Sequence, residues 1–257
     1  FNHKRFYIVI KITIMFWSYF LEGLIYLLLF IGVDILAEKY KIEGRYYLSH
    51  TICNLFVTIL TYNDLIYTYF NFGTFINYPM NYRAATLTFS LHYYHIIWYF
   101  KKLRFDDWLH HILTVIVALP LTMFTPAGSL LGHSLFYLCG LPGGIDYMML
   151  FLNRNNYITR LTEKQINNAL NLWIRCPGCI AHSTLTFVGY NMLDSTQFNT
   201  YDKYTSFTTA VSVFWNGIYF MNQVVVNYAI TNNIKISKSD DFIKQKKHIE
   251  PKTPPGS

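Results

Sequence analysis

Read for apolar periodicity, the chain is a succession of long runs with almost no charge, separated by short polar connections. Seven runs come near the roughly 20 residues that cross hydrocarbon at about 1.5 Å rise per residue: 12–33, 46–70, 84–100, 108–125, 128–152, 166–193 and 205–230. The fourth is short and carries Pro120, and the connection after it, Pro126-Ala127, is so brief that the fourth and fifth runs must be antiparallel neighbours. No stretch alternates with period two for long enough to form a barrel strand, and no internal repeat is visible. The pattern predicts an all-α integral membrane bundle of about seven transmembrane helices. Residues 1–44 hold the first helix and a cytoplasmic loop, 45–233 a six-helix membrane domain, and 234–257 a disordered Lys-rich tail.

Polar residues inside these runs fall on faces. His50, Asn54, Thr58 and Thr61 share one face of the second run, and His92, His95 and Tyr99 one face of the third. Asn216, Gln223 and Asn227 make a stripe on the seventh, best read as hydrogen-bonding glue between helices. For the second and third runs, glue and a functional site are equally good readings. Gly140-Leu141-Pro142-Gly143-Gly144 interrupts the fifth run just before Asp146; a kink that exposes carbonyls and a tight packing point both fit it.

Composition supports the membrane reading: the chain is 53% hydrophobic and 19% aromatic, with 14% charged residues against about a quarter in soluble domains. The net charge of +7 does not indicate nucleic acid, because many of the basic residues lie in short loops between apolar runs, where they set topology and meet anionic headgroups. Fifteen Lys and Arg on one side of the spans against five on the other put the first, third and fifth loops and the C-terminus in the cytoplasm. Cys53, Cys139, Cys176 and Cys179 all fall in apolar runs, which excludes an extracellular disulfide framework. Cys176-Pro177-Gly178-Cys179 has redox-motif spacing, a weak signal inside an apolar helix. The first run is too long for a cleavable signal peptide and lacks its small-residue site.

This topology also sets depth. His50, His95, His110, His111 and Asp146, from four runs, come to one level roughly 5 to 10 Å inside the cytoplasmic surface. Ionisable groups there are costly and are functional candidates by default. Asp146 and the adjacent histidines are expected to touch, since a buried carboxylate needs a partner. Arg175 and His182 lie two turns apart in the sixth run; Arg175 pairs Asp146 or a lipid phosphate, or snorkels to the headgroups.

Asp-Trp-Leu-His-His-Ile-Leu-Thr at 107–114, followed at the end of the next run by Asp146-Tyr147-Met148-Met149-Leu150, resembles the TLC (TRAM/Lag/CLN) domain, whose best-known enzymes are the ceramide synthases. The likeness covers 45–233, with the first run as an extra span. It implies that His110 and His111 take the role of the family's essential histidine pair and Asp146 that of its last aspartate. Where the family's enzymes carry a His-Asp pair a turn before that aspartate, this chain has Pro142-Gly143.

Two functions from different classes follow. One is acyl transfer from a fatty acyl-CoA co-substrate to a lipid amine or alcohol. In it one histidine of the pair acts as base or acyl acceptor, the other stabilises the oxyanion, and Asp146 fixes a tautomer. His50, Asn54, His92, His95, Tyr99, Arg175 and His182 would line the lipid or acyl-CoA pocket. The other is a non-enzymatic lipid-binding or lipid-composition protein, whose polar pocket accepts a headgroup. A di-iron lipid oxidase ranks third: His92-Tyr93-Tyr94-His95 and His110-His111 suggest histidine boxes, but such sites need about eight imidazoles and only five are well placed. No metal or other cofactor is expected. A retinal receptor is disfavoured, since the seventh run has no lysine for a Schiff base. Membrane lipids are the expected partners and the endoplasmic reticulum the expected place.

Overall fold

The computed structural model describes residues 3–103, 105–118, 121, 125–193 and 200–249, and of 3–16, 106, 107 and 234–249 the backbone only. Among the described residues every regular element is a helix. In chain order these are α1 (His3–Lys39), α2 (Arg45–Phe70), α3 (Tyr82–Trp98) and α4 (Phe105–Ile112), then α5 (Ser129–Leu135), α6 (Leu141–Arg154), α7 (Arg160–Leu170), α8 (Cys176–Met192) and α9 (Thr200–Ile249). Short 3₁₀ turns at Phe72–Asn77 and Phe100–Lys102 flank α3.

Three π-type stretches occur among the described residues: Leu113–Ala118 continues α4, Phe136–Gly140 joins α5 to α6, and Asn171–Arg175 joins α7 to α8. Each ends two residues before a proline in the sequence, namely Pro120, Pro142 and Pro177; Pro120 itself lies outside the described residues. The reason is steric. Proline brings no N–H to the carbonyl four residues earlier and its ring collides with it, and one extra residue in the turn moves that carbonyl aside. The carbonyl that Pro142 leaves without its helical partner belongs to Leu138, and Arg175 Nε donates to it at 3.4 Å. The glycine-proline interruption therefore does not break the fifth run: Ser129–Arg154 is one helical rod.

α2 is the hub of the amino-terminal half, packed on α1, α3, α5 and α6, while α9 packs on α7 and α8. Polar residues outnumber apolar ones among the buried positions, and the outside is studded with Leu28, Ile59, Ile116, Trp173, Phe207 and Trp215, each at least half exposed. Exposed apolar surface of this extent marks an interaction surface, of which lipid is one kind. Several buried hydroxyls are satisfied locally: Thr51, Thr61, Thr88, Ser90 and Ser183 each donate to the carbonyl four residues back.

Two helical stretches among the described residues are long and apolar enough to cross a bilayer, Trp17–Lys39 with mean hydropathy 2.2 and Ser129–Arg154 with 1.5. Only 17% of the apolar window in the first is buried against the rest of the bundle. α2 matches the expected second run to within one residue. The last helix differs: the sequence reading ends its span at residue 230 and makes 234–257 a disordered tail, whereas the helical backbone runs on to Ile249. Between 231 and 249 there is no Gly or Pro to stop it; the first breaker is Pro251. The tail from 250 lies outside the described residues.

Candidate functional site

α2 begins, α3 ends and α4 begins at the same end of the bundle, and there five imidazoles meet. His50 and His95 stack with ring centroids 4.4 Å apart, and His95 lies 5.5 Å from His111. His92 is 5.4 Å from His110 and 5.1 Å from His111, and the two adjacent rings are themselves 5.5 Å apart. His50, His92, His95 and His111 are buried, and His110 alone is exposed. Single ring nitrogens of His92, His110 and His111 all lie within 4.8 Å of one another.

The local sequence explains the convergence. His92 and His95 are three apart on α3 and so share a face, and His50 sits one turn inside α2, which packs on that face. α4 is short and meets the rest through rings, His110 and His111 against His92 and Trp108 edge-on to Phe100 at 5.1 Å. An aromatic collar closes the inner side: Tyr46 stacks on His95 at 4.2 Å, and Tyr147 lies parallel to His50 at 3.9 Å.

One tautomer can be assigned. His92 Nδ1 is 2.8 Å from the carbonyl oxygen of Thr88, which only accepts, so Nδ1 carries the proton. In the neutral ring Nε2 then presents a lone pair, and it is buried without a hydrogen-bond partner. Nε2 of His50 and both ring nitrogens of His95 are likewise buried and unpartnered. Four nitrogen sites facing inward without donors or acceptors are a large local cost, of the kind that functional centres carry.

Asp146 is not part of this cluster. The charges acting on it are those of Glu163, Lys164 and Arg175, and its Oδ1 is buried without a hydrogen-bond partner. Successive residues on a helix point about 100° apart, so the ring of Tyr147 reaches His50 while the carboxylate before it faces α7. Arg175 does not ion-pair with it either; its Nη2 donates to Asn216 Oδ1 at 2.9 Å and its guanidinium lies over Phe220. Asn216 thus acts as glue between the Asn171–Arg175 stretch and α9, while Gln223 and Asn227 are exposed. Asn54 is buried one turn below His50 against Gly143 of α6. Tyr99 donates to Asp34 Oδ1 at 2.6 Å with its ring edge toward His95.

His182 belongs to a second, separate pair. Its Nδ1 is 3.2 Å from Nδ1 of His133, and Thr186 Oγ1 is 3.2 Å from its Nε2. Tyr69 and Tyr137 pack on His133, and His182 and Thr186 border a cavity of about 20 Å³, room for one water.

Sequence reasoning passed over His133, Tyr46, Tyr147 and Asp34. Tyr46 was within reach, being one turn before His50 on the same face. Asp34 was assigned to a loop, yet it is 1% exposed and accepts from Trp98 Nε1 at 2.8 Å, Tyr99 and Arg45. It ties the end of α1 to the end of α3 directly beneath the histidines. Set against known protein families, curated proteins and solved structures, the chain matches none of them.

Proposed function

We propose that the chain is a seven-span membrane protein of the TLC kind that transfers an acyl group from acyl-CoA to a lipid amine or alcohol, with the histidine cluster as its reacting centre. The observation that carries this is the meeting of His110 and His111 with His92, His95 and His50 at one end of a helical bundle with many apolar side chains on its outside. His110 is the ring a substrate reaches first, because it alone of the five is exposed. The acceptor nitrogen or oxygen attacks the thioester carbonyl, an imidazole takes its proton, and the C–S bond breaks to release the thiol of coenzyme A once it is protonated. Neighbouring imidazoles stabilise the oxyanion. The Lys- and Arg-rich loops favour the cytoplasmic side, where acyl-CoA is made, for this end and the C-terminus, and the endoplasmic reticulum is the proposed membrane. The Asp146 carboxylate has no part in this reading.

The test is transfer of a labelled acyl chain from acyl-CoA to extracted lipids by the full-length protein in nanodiscs. The expected result is a labelled amide or ester lost in His110→Ala; no labelled product with any lipid amine or alcohol overturns the proposal.

A further inference from the structure

We infer that His92, His110 and His111 form a binding site for a single divalent transition-metal ion, zinc foremost, with a fourth coordination position open to water or to a lipid carbonyl.

Three observations combine. One nitrogen from each ring falls within 4.8 Å of the other two, while a tetrahedral ion with metal–nitrogen bonds of about 2.0–2.1 Å needs edges of roughly 3.3 Å, so small side-chain rotations close the set. His92 is already prepared as a ligand: Thr88 fixes its Nδ1 proton, and the buried Nε2 has no hydrogen-bond partner. Metal-ligating histidines are oriented in just this way, by donating the second nitrogen to a carbonyl. The donor set also selects the ion. Three imidazoles, which ligate in their neutral form, suit zinc and its neighbours and do not suit magnesium or calcium.

Three protein ligands leave the fourth position open, as catalytic zinc sites do. His110, the exposed member, marks the side from which a fourth ligand enters. His95, whose ring is 5.5 Å from that of His111 and whose two nitrogens are buried and unpartnered, stands beside the ion without belonging to the three. It is the group left to accept a proton from whatever the ion binds.

This inference shares its location with the acyl-transfer proposal but not its chemistry, and it changes which imidazoles are free to act as base. Full-length protein purified in detergent, stripped with chelator and titrated with Co²⁺, is expected to take up one equivalent. The visible ligand-field bands of four-coordinate cobalt should appear and Zn²⁺ should abolish them. His92→Gln and His111→Gln should each weaken zinc binding by more than roughly a hundredfold, with His133→Gln as the unaffected control. If a variant does not fold, zinc protection of His92 against diethyl pyrocarbonate, mapped by peptide mass on the wild-type chain, decides the assignment instead. Absence of the cobalt bands in folded wild-type protein overturns the inference, as does binding that survives both substitutions or leaves His92 unprotected. Acyl transfer by metal-free protein would sink the ion as part of the reaction and leave the earlier proposal standing; bound zinc without transfer would do the reverse.

Discussion

At the scale of single residues, the structure turns on how each buried charge or ring is satisfied. Asp34 takes three donors, from Tyr99 at 2.6 Å, Trp98 at 2.8 Å and Arg45 at 3.2 Å. Asp34→Ala would leave those donors facing nothing and is expected to cost about 3 kcal/mol, tempered by the partial exposure of Arg45. Thermal unfolding in detergent should show it as a fall of several degrees, with blue-shifted Trp98 fluorescence lost. Asp146 gives the opposite expectation. Since it shares no contact with the histidines, Asp146→Asn should leave acyl transfer within about a factor of two to three of wild type, whereas His110→Ala abolishes it. The histidines were legible in the sequence because helical spacing and loop position together specify depth and face. The aspartate was not, because a rotation of one residue on the helix decides which neighbour a side chain meets.

At the scale of elements, packing points follow from glycine and proline. A Cβ on Gly178 would overlap the ring of Tyr137, which packs on His133 from the neighbouring π stretch. Gly178→Ala should therefore destabilise by about 1–3 kcal/mol of overpacking, read as a lower unfolding temperature with cluster metal binding unchanged. The bounds of α2 were predictable since a left-handed Gly44 precedes it and Asn71 ends it. The division of the sixth run was not: the turn before Arg160 begins a polar, amphipathic α7 whose contribution to the rod a search for purely apolar windows passes over. The π stretches were equally hidden, since proline announces a disturbance without saying whether the helix breaks or widens.

At the scale of the molecule, the many exposed apolar side chains fit the proposed place in a bilayer, and in that proposal the asymmetry of Lys and Arg sets the orientation. Trypsin added to sealed microsomes should remove the Lys-rich segment beyond Ile230 and spare the short loop after α2; protection of that segment would reverse the orientation. A lipid comparison of cells with and without the chain should show depletion of one acylated lipid class on its loss, and restoration by wild type but not by His110→Ala.

The threonines and serines that bond back to their own helix also bear on biogenesis. A segment whose hydroxyls already hold a carbonyl of the preceding turn can leave the translocon alone, without a neighbour to shield them. Asp34 and His95 have no such shelter, and Nε2 of His50 and of His92 has none either. Asp34 finds its donors only when the end of α1 meets the start of α2 and the end of α3, and the histidines pack only when α2, α3 and α4 are side by side. If the proposed membrane topology holds, the first four segments assemble together before release into lipid, and the site is built when that step is completed.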